Sequence, residues 1–197
     1  MPDGEGIVTI ISRRNTQNTT MIKTIFLDRD GVINSVIMRG SQIDSPRAFH
    51  EFHVRRDFLL FYNEAQLRKL ELFVVSNQPD VKRGLLKVAE LNLMTELLGQ
   101  QFQFREIVYC LHDDSDDCTC RKPKPGMILN LLGTYKIKGR EALLIGDSNK
   151  DILAARSAGI RSVFLCQEHN LTISVASDYT VNSLSEVFLL EKGHLLS

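Results

Sequence analysis

Two aspartates, Asp28 and Asp30, stand one residue apart where an apolar run ends in FLDRDGVIN. In an extended chain that spacing puts both carboxylates on one side, with Arg29 opposite, so they converge on one small volume. Like charges that close repel unless a cation lies between them or one is protonated. The pair is therefore a metal or acid/base arrangement, or else a plain strand-end turn ahead of Gly31. Three more polar groups follow, each at the end of a predicted strand. Ser76-Asn77-Gln78 offers a hydroxyl and two amides, neutral donors suited to a phosphate. CRKPKPG holds Lys122 between Arg121 and Pro123 in a stretch that cannot be helical. GDSNKD places Asp147 and Asp151 four residues apart at a helix start, where capping is the competing reading. The order Asp-x-Asp, Ser, Lys, Asp makes the set far more specific than any member of it.

A second cluster has a different chemistry. Cys110, His112, Cys118 and Cys120 form C-x-H-x5-C-x-C, three thiolates and one imidazole, the ligand set of a closed tetrahedral zinc site with a structural role. Buried free cysteines are the alternative, and the acidic run DDSDD over 113–117 speaks against it. The loop leads directly into Arg121 and Lys122, so a metal there is expected to fix the lysine. Cys166 lies apart at a strand end and reads as packing.

These residues need a scaffold. Short β-rich apolar runs at 22–27, 72–75, 107–109, 142–145 and 162–165 alternate with helical patterns at 57–69, 85–98, 126–135 and 151–158. That alternation predicts a parallel α/β sheet, with a last strand at 179–181 and helix at 185–191. A chain of 197 residues with 43% hydrophobic content can bury one sizeable core. The first 20 residues are polar apart from 7–11 and read as an extension, either a tail or an added edge strand, before a domain over 21–197. With 24 basic and 24 acidic residues the net charge is zero, so no nucleic-acid or membrane partner is expected. No secretory or membrane-spanning pattern is present, which predicts a cytoplasmic protein, and a monomer is expected.

DRDGVIN, SNQ, RKPKPG and GDSNKD resemble, in order, the four motifs of the haloacid dehalogenase superfamily of phosphohydrolases, from about residue 21 onward. NQPDVKRG and CLHDDSDDCTCRKPKPGM are similar to the branch holding heptose 1,7-bisphosphate 7-phosphatases and histidinol-phosphate phosphatases. The resemblance implies a Rossmann-like doubly wound sheet of haloacid dehalogenase type, without a large cap domain. It implies Asp28 as the nucleophile that forms an aspartyl-phosphate, and Asp30 as the acid and base. Ser76 and Lys122 would hold the phosphoryl oxygens, and Asn77 would position substrate or phosphate. Magnesium would sit on Asp28, the Asp30 carbonyl and Asp147, with Asp151 orienting a bound water. The implied substrate is a small sugar phosphate, a heptose 1,7-bisphosphate cut at position 7, with Arg121 meeting the second phosphate. Histidinol phosphate or another small phosphate ester is the alternative. Such phosphatases often carry a basic residue after the fourth-motif aspartate; here Ser148 stands there and Lys150 follows two later.

The short spacing between motifs leaves about fifty residues for each intervening segment, which predicts an open site. Loop 35–53, with Arg39, Arg47, His50 and His53, is expected to supply much of the specificity. Two other function classes fit less well. A non-catalytic phosphate-binding protein would not need Asp30, and a phosphatase of nucleic-acid ends would carry a basic stripe.

Overall fold

The computed structural model describes residues 21–171 and 174–193. The predicted extension 1–20 and the apolar stretch 7–11 lie outside them. Six strands, all parallel, form one sheet: β1 (Thr24–Leu27), β4 (Glu71–Asn77), β5 (Glu106–Cys110), β6 (Ala142–Gly146), β7 (Arg161–Leu165) and β8 (Tyr179–Val181). Their order is β5-β4-β1-β6-β7-β8. The chain steps outward from β1 through β4 to β5, then returns to the other side of β1 for β6, β7 and β8. The strand order reverses at β1, which is where open α/β sheets form their ligand crevice.

Period-2 alternation divides the core into two layers. Ile25, Leu27, Leu72, Val74, Leu143, Ile145, Val163 and Leu165 face one side. There they meet Phe58 and Phe61 of α1 (Arg56–Leu67), Leu91, Met94 and Leu98 of α3 (Val88–Gln101), and Leu184 and Val187 of the C-terminal 3-10 segment Leu184–Gly193. Phe26, Phe73, Val75 and Leu144 face the other side, under Met127, Ile128 and Leu131 of α4 (Gly126–Thr134) and Ala154 and Ala155 of α5 (Asn149–Ala158). Both sheet faces are covered, which is why the strands read as continuous apolar runs.

Several elements differ from the sequence reading. Helix 57–69 stops at Leu67 because Lys69 takes a φ of 58°, outside helical space. The helix expected at 85–98 begins only at Val88. Before it, Pro79 opens the one-turn α2 (Pro79–Lys82), and the amides of Leu85 and Leu86 both donate to the Asp80 carbonyl. The final helix is 3-10 in character. Loop 35–53 contains an antiparallel hairpin, β2 (Ile37–Arg39) with β3 (Gln42–Asp44), and a 3-10 turn at Phe49–Glu51. Among the described residues no helix is long and apolar enough to cross a membrane.

Candidate active site

The C-terminal ends of β1, β4 and β6, with residues from the loops after β5 and β7, line a pocket of about 580 Å³. Asp28 leaves β1 with its amide still donating to the Ile145 carbonyl at 3.0 Å, so the ladder with β6 fixes its backbone. Lys122 enters from the loop after β5. Its Nζ lies 2.9 Å from Asp28 Oδ1 and 2.5 Å from Asp151 Oδ1. Lys122 is 2% exposed and Asp151 wholly buried. One carboxylate oxygen each from Asp28, Asp147 and Asp151 falls within 4.8 Å of the others. Three carboxylates thus share one ammonium, leaving an excess of negative charge in a desolvated volume. Burial pushes Asp28 up; Lys122 pulls it back, while Asp151, Asp147 and Asp30 push it further, to about 7. Burial also raises Asp147. Lys122 moves upward because Asp151 and Asp28 outweigh the effect of its burial. An all-oxygen cluster with surplus negative charge has the donor chemistry of a site for a hard dication such as magnesium.

Two glycines make this approach possible. A Cβ on Gly31, whose φ is +81°, would lie 1.9 Å from Asp147 Oδ2, and one on Gly146 would lie 2.2 Å from Asp151 Cβ. Only the missing side chains let the turn after β1 and the end of β6 close on those acids. Asp151 does cap α5: its Oδ2 accepts from the Ser148 amide at 3.1 Å and hydroxyl at 2.5 Å. Capping uses Oδ2 and the Lys122 contact uses Oδ1, so neither excludes the other.

Asp30 lines the same pocket as Asp28, but strand alternation is not what brings it there. The chain turns immediately after Asp28, with the Arg29 carbonyl accepting from the amides of Val32, Ile33 and Asn34, so strand alternation ends at Leu27. Arg29 does not point away from Asp30. Its guanidinium is fully buried and binds both oxygens of the Asp30 carboxylate. Burial would raise Asp30, but Arg29 and the Asn34 and Gln78 amides outweigh it and hold the carboxylate below its ordinary range. Ser76 is buried at the end of β4 and accepts from Gln78 Nε2 at 3.0 Å. Asn77 lines the pocket, and its amide also brackets the backbone of Lys122. Nδ2 donates to the Lys122 carbonyl at 2.9 Å and Oδ1 accepts from the Lys122 amide at 3.0 Å.

The four predicted zinc ligands converge at the end of β5. Sγ and Nδ1 atoms of Cys110, His112, Cys118 and Cys120 lie 3.2–3.7 Å apart in the measured pairs. A tetrahedron with zinc–sulfur bonds of about 2.3 Å has edges of roughly 3.8 Å, so these spacings suit one small tetrahedral ion. Each acid of the DDSDD run has a cationic partner: Asp113 with Arg83, Asp114 with Arg121, Asp116 with Lys82 and Asp117 with Lys124. The Gln78 amide donates to the Cys110 carbonyl at 2.7 Å, joining this loop to the end of β4.

Loop 35–53 contributes differently from its predicted role. Arg39 pairs with Asp44 and Glu51, Arg47 pairs with Asp44 and Asp80, and His50 and His53 are exposed. What lines the pocket from this loop is Val36, Ile43, Asp44 and Ser45. Arg121 does line the pocket, its Nε held 2.7 Å from Asp114 Oδ1. Lys150 lines it too, with no carboxylate at ion-pair distance among the described residues. His169 and Asn170 had no sequence signal beyond following a strand of the same sheet. His169 Nε2 is 3.4 Å from Asp147 Oδ2, and Asn170 Nδ2 donates to the Asp147 carbonyl at 2.8 Å.

A family model described as HAD-hydrolase-like matches residues 119–187. The D-glycero-alpha-D-manno-heptose-1,7-bisphosphate 7-phosphatase of Photorhabdus laumondii is 30% identical over 185 residues, covering 87% of this chain and 96% of the relative. The chain belongs to the haloacid dehalogenase-type phosphatases. A D-glycero-beta-D-manno-heptose-1,7-bisphosphate 7-phosphatase of Neisseria meningitidis serogroup A is 32% identical over 143 residues, 70% of this chain and 74% of that one. Among solved structures, a D,D-heptose 1,7-bisphosphate phosphatase from B. bronchiseptica, complexed with magnesium and phosphate, superposes with a TM-score of 0.72 at 26% identity, covering 87% of this chain and 99% of that one. The polar residues gather at the carboxyl edge of a parallel sheet, where open α/β folds bind their ligands.

Proposed function

We propose that this phosphatase is magnesium-dependent, works through an aspartyl-phosphate on Asp28, and hydrolyses the 7-phosphate of a heptose 1,7-bisphosphate. The observation that carries the chemistry is the buried Lys122 ammonium set between Asp28 and Asp151, beside Asp147. An Asp28 oxygen attacks phosphorus as the phosphorus–ester oxygen bond breaks; Asp30, ionised at rest beside Arg29, takes up a solvent proton as the negative phosphate arrives and passes it to the departing alkoxide. Asp30 then takes a proton from the water that hydrolyses the aspartyl-phosphate. Ser76 and Lys122 bind the phosphoryl oxygens and stabilise the charge that develops on them. Asn77 serves by fixing the Lys122 backbone. Magnesium suits Asp28, Asp147 and the Asp30 carbonyl, with Asp151 behind them, and when bound it would neutralise charge on the transferring phosphoryl group.

Zinc is the reading for Cys110, His112, Cys118 and Cys120, with the role of holding the loop that carries Arg121 and Lys122. The substrate reading rests on the names of the relatives and on the pocket itself. Arg121 and Lys150 line it alongside Lys122, supplying positive charge for a second, non-reacting phosphate. The test is kcat/KM, with and without magnesium, for heptose 1,7-bisphosphate, histidinol phosphate and p-nitrophenyl phosphate, in the wild type and Asp28→Asn. The heptose bisphosphate should be preferred by at least about tenfold, a difference of roughly 1.4 kcal/mol. Asp28→Asn should remain folded and lose turnover. A tenfold preference for histidinol phosphate would move the assignment to that alternative.

A further inference from the structure

We propose that Arg29 is a positioning residue for proton transfer, acting through Asp30 with Gln78 as a bridge; this rests on the assignment of Asp30 as the proton carrier. Arg29 is among the largest fully buried side chains of the protein. Apart from Asp30, Gln78 and the Tyr109 hydroxyl, what packs against it is ring and sulfur. The guanidinium carbon lies 5.5 Å from the Phe52 ring centroid and 5.7 Å from that of Tyr109, and Nη1 is 3.8 Å from the Met94 sulfur. A methionine or leucine would fill such a space without the desolvation cost of a cation.

What the guanidinium does there is fix one carboxylate. Arg29 Nε donates to Asp30 Oδ1 at 3.1 Å, and Nη2 donates to Oδ1 at 3.0 Å and Oδ2 at 3.1 Å. Nη2 also donates to Gln78 Oε1 at 3.0 Å. Gln78 in turn donates through Nε2 to Asp30 Oδ2 at 2.7 Å and to Ser76 Oγ at 3.0 Å. Asn34 Nδ2 completes the set on Oδ1 at 2.9 Å. The two rings orient the guanidinium plane, the guanidinium orients the carboxylate, and Gln78 ties both to the hydroxyl proposed to bind phosphate. Rotating Asp30 would break charge-assisted bonds inside a buried site, so the part of its carboxylate that lines the pocket keeps one aim toward the leaving group. A lysine could keep the charge but not the planar fork.

The experiment is a leaving-group series. kcat/KM is measured for aryl and alkyl phosphate monoesters of increasing leaving-group pKa in wild type, Asp30→Asn, Arg29→Met, Arg29→Lys and the double variant Arg29→Met/Asp30→Asn. Losing a proton donor hurts poor leaving groups most, by on the order of 10²-fold or more, and good ones least. Arg29→Met should steepen the series in the same sense as Asp30→Asn, Arg29→Lys should lie between it and wild type, and the double variant should be no worse than Asp30→Asn alone. A merely structural Arg29 would slow all esters by one factor and add to the Asp30→Asn defect; either result overturns the proposal. If Asp30→Asn itself leaves the slope unchanged, the assignment of Asp30 is what fails, and the proposal falls with it. Should Arg29→Met not fold, Gln78→Leu keeps the buried ion pair and removes the bridge. A steepened series in that variant supports the clamp, and a uniform loss overturns it.

Discussion

Replacing Lys122 by methionine isolates the charge balance on which the site depends. The ammonium lies 2.9 Å from Asp28 and 2.5 Å from Asp151, and Asp151 has no access to solvent. Removing one partner of a buried ion pair leaves an uncompensated charge and costs about 3–5 kcal/mol. Losing a donor to the transition-state oxyanion lowers kcat by about 10²–10³-fold. The pH dependence has a definite sign. Lys122 is the largest influence holding Asp28 down against burial and its neighbouring acids, and even so Asp28 stands at about 7 against 3.8. Without Lys122 the folded-state pKa rises further. A folded carboxyl with a raised pKa binds more protons than the unfolded chain between the two values, so stability falls as pH rises through that window. Urea unfolding of Lys122→Met without added magnesium should therefore show stability increasing from pH 8 to pH 5. Saturating magnesium at pH 8 should restore part of the loss, because it binds the folded carboxylates. Activity within about threefold of wild type, or stability that falls on acidification over this range, would refute the reasoning.

Three other outcomes follow from the same geometry. Protein purified without chelator should hold about one zinc per chain, and Cys118→Ser/Cys120→Ser should lose it together with most activity, measured by metal analysis and kcat/KM. Magnesium titrated calorimetrically should bind about tenfold more weakly per pH unit below 7, because it must displace the proton that Asp28 holds up to about 7. Arg121→Ala should lower kcat/KM for a bisphosphate about tenfold more than for a monophosphate, since Arg121 lines the pocket and pairs with Asp114 rather than with the acids around Asp28; equal losses would remove it as a second-phosphate contact.

Sequence alone settled the features that depend on local pattern. Fully buried parallel strands must be apolar on both faces, so β1, β4, β6 and β7 announced themselves within a residue or two at most of their bounds. The four strand-end motifs and the Cys/His spacing were legible because chemistry demands particular residue types in a particular order. Tertiary structure decided what those residues face. Arg29 reads as the outward neighbour of an acid in an extended chain, yet the turn after Asp28 folds it inward onto Asp30, beneath Phe52 and Tyr109 from distant segments. Asn77 reads as a substrate or phosphate contact, and no local pattern shows that its amide also brackets the backbone of Lys122, 45 residues on. The arginines of loop 35–53 read as substrate contacts and are taken up by Asp44, Glu51 and Asp80. His169 and Asn170 carry no local signal and reach Asp147 because β7 lies beside β6. A side chain's type and spacing fix what chemistry it can do; its partners come from segments tens of residues away, and only the packed sheet selects them.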